Sequence, residues 1–188
     1  MPPKVKITKD EIVRTALEIL RRDGEASVNA RNIVAALGCS TQPVFSNFAT
    51  MEALQGAVLK AAYDLYLHFL QSEVEKGTYP AYKAFGMAYI RFAKEERELF
   101  KQLFMCDRQG ADLSPTADFE ASVAYIQRNV GVTKEKAERM HLEMWACVHG
   151  IATMQATSFL ELDEELISHM LSDVYQGLRA RHTAKEES

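Results

Sequence analysis

Apolar residues recur along this chain at three- and four-residue intervals almost from end to end, and strand-like alternation is nowhere sustained. Ile12, Ala16, Ile19 and Leu20 follow i, i+4, i+7, i+8 spacing behind Thr8-Lys-Asp-Glu11, a capping-box pattern, and Gly24 suits the left-handed stop. Ala30, Ile33, Val34 and Leu37 repeat that spacing over a shorter stretch that opens near Ser27–Asn29 and ends at Gly38. Only Cys39 and Ser40 separate it from a third segment. There Ser40 or Thr41 can cap, Pro43 sits in the first turn where its missing N–H costs nothing, and Val44 and Phe48 face inward. Thr50 caps a long helix over about 51–74, with Leu54, Val58, Ala61, Ala62, Leu65 and Phe69 in register. Further helices are predicted over Ala81–Lys94, Arg97–Met105, Pro115–Val130, Lys134–Ser158 and Glu164–Arg181, which makes the expected fold class all-α with about nine helices.

Ser27–Phe48 is therefore a short helix, a tight glycine turn and a second short helix, the layout of a helix-turn-helix. Helices joined by so few residues cross steeply, and the second can stand proud enough to enter a major groove. An ordinary helical corner has the same outline. On the second helix Thr41, Gln42, Phe45, Ser46 and Asn47 point outward; Gln and Asn can bond an adenine edge through two hydrogen bonds, and Thr or Ser can reach a base or a phosphate. No residue from Asn32 to Met51 is charged. Phosphate attraction would then fall to Lys4, Lys6 and Lys9 on the N-terminal arm and to Arg31, with Ser40 beside the turn.

Composition sharpens this only a little. At 188 residues, 47% apolar and 26% charged, the chain has the makings of one compact globular domain or two small ones sharing a core. The net charge of −4 argues against a general polyanion binder, yet residues 1–60 carry eight basic against six acidic groups and the remainder 14 against 20. Met144–Leu160, the longest uncharged apolar run, is 17 residues long and holds five polar ones, so it suits a buried helix better than a membrane span. No apolar run follows Met1-Pro-Pro-Lys4, so no secretion signal is expected. Cys39, Cys106 and Cys147 form no disulfide or zinc pattern, which makes a reducing cytoplasm the expected setting. Catalytic, metal and cofactor residues are not expected. His141 and His149 miss the i, i+4 spacing of a helical zinc pair, Cys147 and His149 face different ways, and no nucleotide-binding glycine pattern occurs.

Gly38-Cys-Ser40, Val44-Phe45, Asn47-Phe48 and Met51-Glu52-Ala-Leu54 resemble the TetR-type transcriptional regulators, whose usual pattern is Gly-x-Ser, three residues, Leu-Tyr-x-His-Phe, then Lys-Glu-x-Leu. The likeness covers roughly residues 8–60. It departs at Phe45, where the family's phosphate-bonding tyrosine stands, at Asn47 for the histidine, and at Met51 for a phosphate-contacting lysine. Trp145-Ala-Cys-Val-His149-Gly150 is similar to the Trp-x-x-x-His-Gly signature of the WHG class of TetR C-terminal domains.

The resemblance implies a homodimeric, ligand-responsive regulator, a repressor in most such proteins, on a palindromic double-stranded DNA operator. Residues 1–48 would bind DNA and residues 49–188 would sense an effector and dimerise. It further implies a small apolar effector among Tyr66, Phe85, Tyr89, Phe104, Phe119, Trp145 and His149, although such aromatics also suit a plain core. For the tryptophan and histidine the plainer reading is a core Trp145 and a His149 bonded to a neighbouring helix. The last two helices would build a four-helix dimer bundle through Ala152, Gln155, Phe159, Ile167, Met170, Leu171, Val174 and Leu178. The alternative is a helical small-molecule-binding protein that has weakened or lost DNA binding.

Overall fold

A computed structural model describes residues 7–106 and 117–184. Among the described residues the regular structure is helical: α1 (Lys9–Asp23), α2 (Ala30–Leu37), α3 (Gln42–Asn47), α4 (Met51–Glu75), α5 (Ala81–Glu95), α6 (Arg97–Phe104), α7 (Ala117–Val130), α8 (Lys134–Ala156) and α9 (Glu164–Thr183), with a 3-10 turn at Glu25–Ser27. The fold is all-α, as the periodicity predicts. Pro115, the expected start of the seventh helix, lies outside the described residues, as do Lys4 and Lys6.

The helix ends follow local chemistry. The Thr8 backbone N–H donates to Glu11 Oε2 at 2.8 Å while the Glu11 N–H donates to Thr8 Oγ1 at 3.2 Å, and the first of these bonds is the main reason the Glu11 carboxyl lies below its usual range. Asn29 Oδ1 caps α2 by accepting the Asn32 N–H at 3.0 Å, and Gly38, at φ 63° and ψ 35°, ends it in the left-handed conformation that costs a side chain least. Thr133 and Asp163 cap α8 and α9 through the Lys136 and Leu166 N–H groups. The expected end of the eighth helix at Ser158 is corrected to Ala156: Thr157 Oγ1 donates to Thr153 O at 2.7 Å, and Ser158 turns to φ 54°.

The chain divides into two compact units. The first takes the chain as far as Phe69 together with Glu95–Cys106. Its core is Ile12, Ala16, Ile19 and Leu20 of α1 with Ile33, Val44, Phe48, Leu54, Val58, Leu99 and Phe100, all buried. α1 packs on α2, α3 and α6. Arg21 locks α1 to the start of α6 by donating to both Glu96 oxygens, with Nε–Oε2 at 2.9 Å, and this ion pair holds the guanidinium even more firmly protonated than usual.

The second unit takes Leu70–Lys94 and the chain beyond Cys106. α8 packs on α7 and α9. Gly86 on α5 lets Leu171 Cδ1 and Val148 Cγ2 come within 3.3 and 3.4 Å of where a Cβ would stand. Val123, Ile126, Ala137 and Met140 form a buried cluster flanked by Tyr82, Phe119, Tyr125, Tyr175 and Leu178. No helix among the described residues is long and apolar enough to cross a membrane.

Candidate functional site

α2, the Gly38 turn and α3 build the head. Val44 and Phe48 are buried, as their spacing predicts, so the opposite side of α3 faces out. Ser40, Thr41, Gln42, Phe45 and Ser46 are exposed, Phe45 by 51%, and Asn47 is half-buried. Arg31 at the start of α2 is exposed. Two side chains turn back on their own helix: Ser46 Oγ donates to Gln42 O at 2.7 Å, and Asn47 Nδ2 donates to Pro43 O at 2.8 Å. Lys9 of the expected cationic arm holds its ammonium 5.0 Å from the centre of the Phe48 ring.

The residues expected to enclose an effector are distributed between the two units. Tyr66 and Phe104 meet edge to face at 4.9 Å in the first. Phe85, Tyr89, Phe119, Trp145 and His149 belong to the second. There the Tyr89 hydroxyl shares a 2.9 Å hydrogen bond with His149 Nδ1, so His149 does bond a neighbouring helix. His149 in turn stacks on Trp145, ring centroids 4.9 Å apart and planes 11° from parallel. The core placement of Trp145 is corrected, because the indole is 47% exposed. Phe85 is also exposed, while Phe119 packs edge to face on His141 at 5.0 Å.

A second polar–aromatic group escaped sequence reasoning. The Tyr82 hydroxyl shares a 2.9 Å bond with His141 Nδ1, and Tyr82 stacks on Tyr125 with centroids 5.5 Å apart. Burial holds the His141 imidazole below its usual pKa and pushes the Tyr82 phenol up. The seven-residue interval from Phe119 to Ile126 and Tyr82's place one residue after the start of α5 mark core faces only, so the sequence carried no sign of this grouping.

The expected dimer stripe needs correction. Ala152, Gln155, Ile167 and Leu171 are buried within their own protomer and have no surface left for a partner. Gln155 Nε2 donates to Leu162 O at 2.9 Å, and Leu171 packs over Gly86. Leu178 flanks the buried cluster, and Met170 and Val174 are half-buried. Phe159 is 81% exposed beyond the left-handed Ser158. The face α8 leaves open is instead Leu142, Trp145, Ala146, Gly150 and, half-covered, His149 and Thr153. A Cβ on Gly150 would meet nothing within 4 Å. Glycine inside a helix was the available signal for this face.

Among the described residues no group of three or more metal-binding side chains occurs. The described residues are helical throughout their regular structure, and an exposed second short helix behind a glycine turn has the layout of a helix-turn-helix. Residues 82–174 match the family model described as tetracyclin repressor-like, C-terminal domain, so the chain carries a TetR-type C-terminal domain. The signature segment Trp145–Gly150 lies inside that match. No curated protein sequence matches the chain. Among solved structures, a protein of unknown function from Rhodococcus sp. RHA1 is 21% identical, with 95% of this chain and 100% of that chain covered and a TM-score of 0.74. A transcriptional regulator from the same organism is 18% identical over 95% and 100% of the two chains, with a TM-score of 0.62. A TetR variant from Acinetobacter baumannii AYE, in complex with minocycline, is 16% identical over 97% and 98%, with a TM-score of 0.50. The fold is that of TetR-like transcription regulators.

Proposed function

We propose that this chain is a ligand-responsive DNA-binding regulator, acting as a repressor in the cytoplasm and without catalytic activity of its own. Residues 1–48 bind a palindromic operator, and residues 49–188 sense a small apolar effector and dimerise. The observation that carries this is the exposure of Gln42, Phe45 and Ser46 on α3 while Val44 and Phe48 anchor the same helix from behind. Two such helices, about 34 Å apart in a symmetric dimer, suit successive major grooves. The open face of α8, with Leu142, Trp145, Ala146 and Gly150, supports pairing with a second copy, since a Cβ placed on Gly150 would point into open space. The Tyr89–His149 pair, hydrogen-bonded at 2.9 Å and stacked on Trp145, offers an aromatic, weakly polar lining that suits a largely apolar effector. An effector that favours a dimer state with the wrong spacing between α3 helices releases DNA by population shift.

Retardation of the chain's own upstream DNA at low salt is the test, with release on effector addition. No retardation at any salt would favour the alternative, a helical small-molecule-binding protein without DNA function, for which Phe45 and Met51 in place of phosphate-contacting side chains are the supporting observation.

A further inference from the structure

The buried pair Val44 and Phe48 fixes how α3 is turned. At roughly 100° per residue, Gln42 and Ser46 lie opposite that pair and Phe45 lies on the flank beside them. Ser46 has spent its hydroxyl hydrogen on Gln42 O, and Asn47 directs an amide hydrogen to Pro43 O. That leaves Ser46 mainly an acceptor and Asn47 half-buried, so within α3 the side chains that stand fully outward without bonding their own helix are the Gln42 amide and the Phe45 ring, half of which is exposed. A half-exposed phenylalanine on a polar face contributes little to packing, and the hydroxyl that would bond a phosphate is missing from it.

The major groove offers few matches to this pair. A side-chain amide fits the adjacent acceptor and donor on adenine, and the only apolar group on any base edge is the thymine methyl. Guanine calls for two donors from Arg or Lys, and the cytosine amino group for a carboxylate. Neither charge occurs from Asn32 to Met51. We propose that α3 reads A·T pairs, with Gln42 bonding an adenine through its amide and Phe45 packing its ring on a thymine methyl. The inference rests on the DNA-binding reading above and adds the base chemistry of the operator.

The test takes the full-length chain and selects from a random double-stranded DNA library. Each thymine of the recovered half-site is then replaced singly by uracil, which keeps the base pair and removes the methyl. At one thymine per half-site the replacement weakens binding about three- to fivefold, the scale of one buried methyl. Phe45→Ala binds the thymine and uracil duplexes equally, whereas Phe45→Leu keeps part of the difference. Gln42→Ala loses preference at a neighbouring adenine. Uracil that is harmless at every thymine, a penalty that survives Phe45→Ala, or a half-site made of G·C pairs would each overturn the proposal while leaving DNA binding intact. Failure to enrich any sequence, with no retention of DNA, would overturn the DNA-binding reading and this one with it.

Discussion

α3 and α8 each turn a bare face outward, and the two faces differ in kind. α3 is six residues long, contains no charged residue and presents an amide and an aromatic ring. α8 is 23 residues long and presents Leu142, Trp145, Ala146 and Gly150, a largely apolar strip with His149 and Thr153 half-covered beside it. A groove of base edges is read by groups that can donate, accept or touch a methyl, whereas another helix asks for shape and for room at small residues. Charge, the usual marker of a nucleic-acid surface, separates them poorly, because neither strip contains a charged residue of its own. The make-up of the most exposed positions separates them better: an amide beside a ring on α3, aliphatic and aromatic carbon with a glycine on α8.

The comparison can be broken most severely at α3 and the Phe48 cap that ends it. Phe48→Ala removes a buried ring and should cost about 3–5 kcal/mol, seen as an early thermal transition, whereas Phe45→Ala three residues away should stay within about 0.5 kcal/mol of the parent. Equal destabilisation would mean that α3 is not oriented as described. On α8, Trp145→Ala should leave the helical signal unchanged and weaken self-association by about 2 kcal/mol, roughly thirtyfold in sedimentation experiments. An unchanged dimer would remove α8 from the interface.

Titration sharpens the picture on the inner side of the second unit. His141 has a depressed pKa in the folded chain, so its contribution is complete above the unfolded value of about 6.5 and falls away as pH drops below it. Thermal stability should therefore decline from about pH 6.5 downward, and His141→Gln should flatten that limb. Glu143 is held below the usual carboxylate range by its hydrogen bond to His182, so its share is lost in a separate window below about pH 4.3. The smallest effect belongs to the rim of the head. Arg31→Ala should lower the salt dependence of DNA binding by about 0.9 in log–log slope per subunit and leave base preference alone.

The helical architecture was legible because capping residues and glycine stops stand at its boundaries: Thr8, Asn29, Gly38 and Thr50 act where the sequence suggests, and Thr133 and Asp163 cap α8 and α9 from within the breaks that precede them. The orientation of α3 was legible for the same reason, since only Val44 and Phe48 could face inward. Faces of the longer helices were not. On α8 apolar residues cover more than one side, so spacing alone could not say which stripe the protomer keeps. Ala152 and Gln155 went inward, where Gln155 meets the Leu162 carbonyl, and Trp145 went outward despite being the most apolar-looking core candidate. The Tyr82–His141 pair joins residues 59 positions apart, a distance over which no local pattern carries information.

Trp145 is the sole tryptophan of the chain, and its indole lies flat against an imidazole that is itself bonded to a phenol from another helix. Its emission is therefore a built-in optical gauge of that one contact. Any event that tilts the imidazole, protonates it or draws the phenol away will register as a change in intensity or wavelength, with no dye attached and no second fluorophore of its kind to dilute the signal.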